Sequence, residues 1–514
     1  MAINVIVNDP RPGSPPQIIS TPILRNHFAM KIRMAGDFPQ REYDLSSETD
    51  GFLHWQCRQA ALLALHAWKN ADPSGSTLMT WHGGNPELLI RENAGHDLNA
   101  YYDRNSLSFF HFNHGDKTTY SGLSTDVVAH EVGHALLDAF RPDLWDAGFF
   151  EVAAFHEAAG DCSALMAAFE DPDVRLAPGV LDRFRANEGN LVETIAEDLS
   201  DGIKRFLKTL PADLQARLLN AASPRRAKNE FTRIEHSRLP RQGGKGELID
   251  EVHSYSQIFT GCFYDLIVKI FSSKKRDPKR LNHKDLREAA HTAGHLLIEG
   301  VRYARARPQF FREVGQAMIF VDKHVFGGLH QVAIRDIFLR RDIQLFLEDT
   351  LPAEQSLDGP LPNFDAPKAA DVLAQETKKD LTQRMGLEPG ARLNYTVVSA
   401  IKSQPFVEVS HLRPVSLGAV DKRLDGVSGL AKETARVGAL AGAPQVLGPL
   451  SNTVESTKDV HGFVEGLRDS DLIEFEGERR KNDPLQHTHS VTSAKTGKKL
   501  RRLRFSCCCN HWRS

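Results

Sequence analysis

The spacing of apolar and polar residues divides the chain into helical and strand-like segments. From Gly51 to Asn70, the apolar residues of GFLHWQCRQAALLALHAWKN recur at helical spacing and predict a long core helix. Residues 78 to 113 contain ELLIREN and NSLSFFHF, runs rich in β-formers that turn residues separate. The pattern is again helical from Ser124 to about Glu170, and helices also return between 250 and 345. Together these segments predict an α+β fold.

A proline-rich segment marks the main boundary along the chain. LPAEQSLDGPLPNFDAPK, residues 351 to 368, has the composition of a linker. Beyond it the pattern changes to period-two stretches such as RLNYTVVSAI, which predict strands. We therefore expect five parts: an N-terminal arm at 1–44, an α/β lobe at 45–140, a mainly helical lobe at 141–345, a linker at 346–368, and a partly β C-terminal domain of unknown role at 369–514.

Composition and charge narrow the class of protein. The chain has 514 residues, 41% of them hydrophobic and 25% charged, as in ordinary globular proteins. The net charge of −2 does not indicate a nucleic-acid partner, and the longest apolar runs are shorter than the ~20 residues that a membrane helix needs. The start, MAINVIVNDPRPGSPPQ, has no basic region before an apolar core. We expect a cytoplasmic protein, or export by a route without a cleavable N-terminal signal.

The segment STDVVAHEVGHALLDAF, residues 124 to 140, carries the strongest chemical signal. On a helix His130 and His134 share a face one turn apart, so both imidazoles can reach one ion. Zn²⁺ takes imidazole nitrogen, and its catalytic sites keep three protein ligands plus a water, beside which Glu131 can act as general base. Gly133 lacks a side chain and can let a neighbouring helix come close. The alternative is an ordinary i,i+4 histidine pair that binds no metal. A third ligand elsewhere in the sequence would distinguish the two interpretations.

A second helical segment, FFEVAAFHEAAGDCSALMAAF, offers that third ligand. Glu157 and Asp161 are four residues apart and share a helix face. Glu157 can complete a His₂Glu set, and Asp161 can accept the spare N–H of a ligand histidine. The residues around them are apolar, so a buried pair of carboxylates without partners would be costly. Glu151 and His156 are rival ligands that rank below Glu157.

DVVAHEVGHALLDAF followed by HEAAGD resembles the thermolysin-like zinc metallopeptidases, members of the glutamate-zincin group, over roughly residues 45 to 345. The resemblance implies a two-lobed catalytic region, with a mixed β/α lobe, a helical lobe and one zinc ion between them. From the pattern beyond residue 368 we expect an additional C-terminal α/β region. LNAYYDRNSLSFFHFNHGD is similar to the family's edge strand, so Asn99 and Ala100 inherit a substrate-binding role. DEVHSYSQIF is similar to the segment carrying the histidine that stabilises the transition state, which implies that role for His253.

The chain departs from the family pattern at several positions. His156 stands where the family has asparagine before the third ligand, which alters one contact behind the ligands. The expected oxyanion tyrosine has no clear counterpart, since its loop offers Trp145 and two phenylalanines. One acidic residue of the family's calcium cluster falls on Ala168, so calcium is not predicted. Residues 346–514 resemble no family that we can name.

These features predict a zinc-dependent endopeptidase acting on peptide or protein substrates. Zinc would polarise the scissile carbonyl, Glu131 would act as general base and acid, and His253 would stabilise the oxyanion. A weakly active or inactive protein-binding module is the alternative, and an aminopeptidase is disfavoured because no GxMEN-type element is present. The basic tail KKLRRLRFSCCCNHWRS predicts a β-hairpin; contact with anionic lipid or acylation at its cysteines is the second interpretation.

Overall fold

The structure is a computed structural model that describes most of the chain. The described residues are 2–8, 15–26, 29–72, 80–114, 117–186, 192–195, 200–201, 204–205, 208, 225–241, 243, 246–274, 281–345, 353–356, 375–398, 406–440, 443–447, 450–475, 487–494 and 497–506. Cys507, Cys508 and Cys509, for which acylation was considered, lie outside them.

Helices and strands both contribute substantially, which confirms the predicted α+β class. The helices are α1 (Thr49–Ala71), α2 (Thr125–Phe140), α3 (Phe150–Glu170), α4 (Pro172–Leu176), α5 (Val180–Ala186), α6 (Val252–Ser273), α7 (His283–Tyr303), α8 (Phe310–Phe326), α9 (Gln331–Arg340), α10 (Gln375–Arg384) and α11 (Thr453–Asp469). The core helix predicted from Gly51 to Asn70 is α1. Among the residues that the structure describes, every helix is too short or too polar to span a membrane.

Most strands lie before α2 or in the C-terminal region, and two short ones lie between α5 and α6. They are β1 (Ala2–Ile6), β2 (Ile18–Pro22), β3 (Lys31–Met34), β4 (Glu87–Arg91), β5 (Ala100–Tyr102), β6 (Ser106–Phe109), β7 (His111–His114), β8 (Lys117–Tyr120), β9 (Thr194–Ile195), β10 (Arg225–Arg226), β11 (Ala353–Ser356), β12 (Asn394–Val398), β13 (Phe406–Ser416), β14 (Val427–Leu440), β15 (Ala443–Leu447), β16 (Ile473–Glu474), β17 (His489–Ala494), β18 (Gly497–Arg502) and β19 (Phe505–Ser506).

A five-stranded sheet lies on the N-terminal side of the candidate site. Its order is β19-β5-β6-β4-β3, with β3, β4 and β6 parallel and β5 antiparallel to β6. The chain then forms the antiparallel pair β7-β8 before α2 begins. The Ser124 hydroxyl caps α2 by accepting a hydrogen bond from the Val127 N–H at 3.2 Å. The strands predicted within 78–113 are therefore confirmed, and they lead directly into the HEVGH helix.

Close packing of α2 against α3 brings the two predicted ligand segments together. A Cβ atom on Gly133 of α2 would lie 2.7 Å from the Cβ of Ser163 and 2.9 Å from the Cα of Gly160, both on α3. Only glycine allows this approach, as the sequence predicted. Nearly every residue of α3 is buried, because α2 and α6 both pack against it. This central position explains why the residues of α3 around Glu157 and Asp161 are apolar.

The C-terminal region forms a second sheet. β11, β15, β14, β18, β17 and β16 are neighbours in this order, and β13 pairs with both β12 and β14. The predicted basic hairpin is present as β17 and β18, but β18 also pairs with β14, so it is an interior strand rather than an edge. Of the predicted linker 346–368, only 353–356 are described, and they form β11.

The second sheet and α11 pack directly on the rest of the molecule. The Gly148 N–H donates to the Leu430 carbonyl at 3.0 Å, and the Phe150 N–H at the start of α3 donates to Oδ2 of Asp459 at 3.0 Å. Residues of β14 and α11, together with Phe505, share one continuous apolar core with α1, α2, α3 and α6. Contacts from the C-terminal region therefore reach the loop between α2 and α3.

Candidate metal centre

Three side chains from α2 and α3 converge in the interior. Nε2 of His130 lies 3.3 Å from Oε2 of Glu157, and Nε2 of His134 lies 3.7 Å from Oε1 of the same carboxylate. One ligand atom from each residue falls within 4.8 Å of the other two. The helical i,i+4 spacing aligns the two imidazoles, and α3 presents the carboxylate to both. This arrangement brings together the three residues that the sequence predicted as metal ligands.

The donor atoms of this group fit a metal ion. Nε2 of His130, Nε2 of His134 and Oε2 of Glu157 are buried, and none makes a hydrogen bond of good geometry to a described residue. Buried polar atoms are normally hydrogen-bonded, so three such atoms facing one another need an explanation. A cation that takes two imidazole nitrogens and a carboxylate oxygen would satisfy all of them. The group could therefore hold a metal ion.

Asp161 contacts His130 on the side of the ring away from the other candidate ligands. Its Oδ1 lies 3.0 Å from Nδ1 of His130, and its Oδ2 accepts a hydrogen bond from the Thr260 hydroxyl at 3.2 Å. The Nε of Arg225 forms an ion pair with Oδ1 of Asp161 at 3.0 Å. An N–H on Nδ1 of His130 leaves Nε2 as the nitrogen with a lone pair, which is the tautomer that a ligand needs. Asp161 thus occupies the predicted supporting position.

His156 contacts His134 through a hydrogen bond between two imidazole rings. Its Nδ1 lies 3.2 Å from Nδ1 of His134, so one imidazole donates to the other. Burial holds the pKa of His156 well below its usual value, so its ring is neutral and can accept that hydrogen bond. His156 is therefore a supporting residue at the place where the resemblance has asparagine. The other rival ligand, Glu151, lies elsewhere and pairs with Arg233 at 2.6 Å.

Charges around the group favour a cation between the ligands. Burial and the nearby Arg225 lower the pKa of His130, but the carboxylates of Asp161 and Glu157 outweigh them and raise that pKa to about 10. Burial raises the pKa of Glu157, but the neighbouring His253 and His134 outweigh it and hold that pKa well below its usual range. Burial, together with the neighbouring histidines, keeps the pKa of His134 well below its usual value, although Glu157 acts in the opposite direction. The proton on His130 is the charge that a bound metal ion would replace.

The two predicted catalytic residues, Glu131 and His253, lie next to the candidate metal ligands. Glu131 is fully buried on α2, within the turn that separates the two ligand histidines. His253 lies in the first turn of α6, and its Nε2 is 3.2 Å from Oε2 of Glu157. Its Nδ1 is 2.5 Å from Oε1 of Glu251, the N-cap residue of α6. Glu251 therefore fixes the orientation of His253 towards the ligands.

The predicted substrate-binding residues lie outside the metal-ligand group, with Ala100 at the start of β5 and Asn99 just before it. Asn99 and Ala100 are buried, and Oδ1 of Asn99 accepts a hydrogen bond from the Ala100 N–H at 2.9 Å. We expected β5 to be a free edge, and it is not. Its outer side pairs with β19, with Tyr102 opposite Phe505 and Tyr101 opposite Ser506. β19 reaches this edge because it directly follows the C-terminal hairpin of β17 and β18.

Sequence reasoning missed three residues that contact the site. Arg225 belongs to the basic stretch SPRRAKNE, where nothing in the pattern separates it from its neighbours. Glu251 could have been found, because an acidic residue just before a helix start is a common N-cap. Phe505 gave no signal, since its strand has two residues and is too short to show alternation.

Comparison with known proteins adds nothing to this geometry. No protein-family model matches the chain, and a search of curated proteins finds no match.

Proposed function

We propose that the protein is a zinc-dependent endopeptidase of the thermolysin-like type. The observation that carries this proposal is the convergence of His130, His134 and Glu157, with Nε2 of His253 3.2 Å from the third ligand. Two imidazoles and one carboxylate are the ligand set that hydrolytic zinc uses with an open fourth position. When bound there, zinc would polarise the scissile carbonyl and lower the pKa of a water molecule to roughly 7.

Each side chain around the metal group has a defined role in this chemistry. Glu131 accepts the proton of the attacking water and later delivers it to the leaving amine. His253 donates a hydrogen bond from Nε2 to the developing oxyanion, while Glu251 holds its other nitrogen at 2.5 Å. Asp161 and His156 fix the tautomers of the two ligand histidines. The proton therefore moves through Glu131, and the negative charge develops beside His253.

The finer fold assignment belongs to the same proposal. The sheet β5-β6-β4-β3 and α1 precede α2 in the chain, and the helices α3, α6, α7, α8 and α9 follow it. The metal group lies on α2 and α3, where these two parts meet. This layout supports the two-lobed arrangement that the resemblance implies, in which a substrate would lie along β5.

A second candidate function is a protein-binding module with little or no peptidase activity. Two observations favour it. The predicted substrate strand β5 is already paired with β19. Trp145, from the loop where the family has its oxyanion tyrosine, donates its indole N–H to the Arg502 carbonyl at 3.4 Å instead of presenting a hydroxyl.

Metal analysis combined with cleavage of blocked peptides tests the proposal. Purified full-length protein is assayed for zinc and for cleavage of quenched peptides with both ends blocked, beside Glu131→Gln and the surface control Glu288→Gln. We expect one zinc per chain in all three, and cleavage at internal bonds only where Glu131 is present. Zinc with no cleavage by any of these three proteins, nor by Phe505→Ala, which alters the strand paired with β5, would favour the binding module. Cleavage that requires a free amino terminus would indicate an aminopeptidase, and absence of zinc would contradict the ligand assignment.

A further inference from the structure

β19 covers the outer side of the strand that we assign to substrate. It runs antiparallel to β5, with Phe505 opposite Tyr102 and Ser506 opposite Tyr101. The inner side of β5 pairs with β6, so these residues of β5 are paired on both sides. An extended peptide joins the edge of a sheet by the same main-chain pairing. β19 therefore takes the part of this edge at Tyr101 and Tyr102, directly after Asn99 and Ala100, that such a peptide would need.

The Phe505 ring closes the metal group on this side. It stacks on His156 with ring centroids 3.9 Å apart, and on the ligand His134 with centroids 4.8 Å apart. Trp145 meets it edge-on at 5.1 Å. Only 2% of Phe505 is exposed. The ring covers one face of the His134 imidazole.

Arginines of the basic tail hold this segment in place. The Arg502 guanidinium lies 4.0 Å from the centre of the Phe505 ring, and its Nε donates to the Trp145 carbonyl at 3.2 Å. Arg504 lies over the ring of Tyr101 on β5 at 5.0 Å. Cation–π contacts of this kind are stabilising, and more so when the charge is desolvated. The basic run RRLRF thus has specific partners at the site.

We propose that β19 is an intramolecular occupant of a peptide-binding edge on β5, and that it closes the site to peptides until it leaves. This inference rests on the proposed function, since it assigns β5 to substrate. A segment tethered through β18 acts at an effective concentration of roughly millimolar, so dilute peptides compete poorly with it. The chain regulates its own site by non-covalent strand exchange, and opening requires only displacement of the segment from 503 to 506.

Two matched substitutions in the full-length protein test the proposal. Phe505→Ala removes the ring that contacts the ligands. Phe475→Ala is the control, because Phe475 is also a buried C-terminal phenylalanine, with the Arg423 guanidinium 3.9 Å over its ring. Phe505→Tyr keeps the stacking face and is the conservative variant. Amide hydrogen exchange of the segment containing 100–102 reports strand pairing, and cleavage of a blocked quenched peptide reports access.

Phe505→Ala should speed exchange of 100–102 and raise peptide cleavage at least about tenfold, given a millimolar-scale tethered competitor. Phe475→Ala and Phe505→Tyr should leave both quantities near those of the native chain. Unchanged exchange of 100–102 in Phe505→Ala would overturn the proposal, as would faster exchange with no gain in cleavage by an active native chain. A third outcome is faster exchange of 100–102 in Phe505→Ala, with one zinc per chain and no cleavage by any variant. In that case β19 does occupy the edge of β5, but the peptidase assignment is wrong. The two failures are therefore distinguishable.

Discussion

Oδ1 of Asp161 lies 3.0 Å from Nδ1 of His130, on the side of the imidazole opposite to the ligand nitrogen. A carboxylate in this position raises the basicity of the ligand and fixes its tautomer. Asp161→Asn should therefore weaken zinc binding about 10- to 100-fold. Competition with a chelator of known affinity measures this. Asp336→Asn, a surface control beside Arg335, should leave zinc binding unchanged. Equal affinities in the two variants would contradict the supporting role of Asp161.

His156 supports His134 through one hydrogen bond between imidazoles. His156→Asn keeps an acceptor and should retain zinc binding close to that of the native chain. His156→Phe keeps a ring that can stack on Phe505 but loses the acceptor, and should weaken zinc binding about tenfold. The same chelator competition measures both. If the phenylalanine variant binds zinc as tightly as the asparagine variant, the His156 hydrogen bond has no role in the site.

His253 is expected to act on the transition state rather than on the metal. His253→Ala should lower kcat about 10²- to 10³-fold, as loss of an oxyanion donor does, with zinc content unchanged. The assay uses the Phe505→Ala background, in which we expect the rate with His253 intact to be higher than in the native chain. His461→Ala, an exposed histidine on α11 that contacts the Ser416 carbonyl, is the control and should not change kcat. Loss of zinc on replacing His253 would show that it is a ligand instead.

His236 gives the contact between α11 and the rest of the molecule a pH dependence. Its Nδ1 lies 3.1 Å from Asp250 and its Nε2 lies 3.6 Å from Asp459 of α11. Burial lowers the pKa of His236, but these two carboxylates outweigh it and raise the pKa from 6.5 to about 9. Because the folded-state pKa is raised, the stabilisation is full below pH 6.5 and is lost as the pH rises through about 9.

Urea unfolding at a pH below 6.5 and at a pH above 9 measures this effect. The native chain should lose free energy of unfolding between the two conditions, and His236→Gln should lose less, because glutamine carries no titrating proton. An identical pH dependence in the two proteins would contradict the assignment to His236.

Local sequence pattern predicted the main elements and the three residues that meet in a group able to hold a metal ion. α1 was recognisable because its apolar spacing is helical over its whole length, and the two ligand helices because i,i+4 pairs share a face. The contact of His156 with His134 required the observed packing of α2 on α3. The pairing of Phe505 with Tyr102 was not predictable, since it joins distant parts of the chain through a two-residue strand. Non-local contacts of this kind leave no period in the sequence.

The most direct test of the account compares Phe505→Ala with Phe505→Ala/Glu131→Gln, each assayed for zinc content and for cleavage of a peptide blocked at both ends. The account predicts one zinc per chain in both proteins and internal cleavage only in the one that retains Glu131, because the buried carboxylate between the ligands is the general base. Equal cleavage by both proteins, or absence of zinc from both, would contradict it.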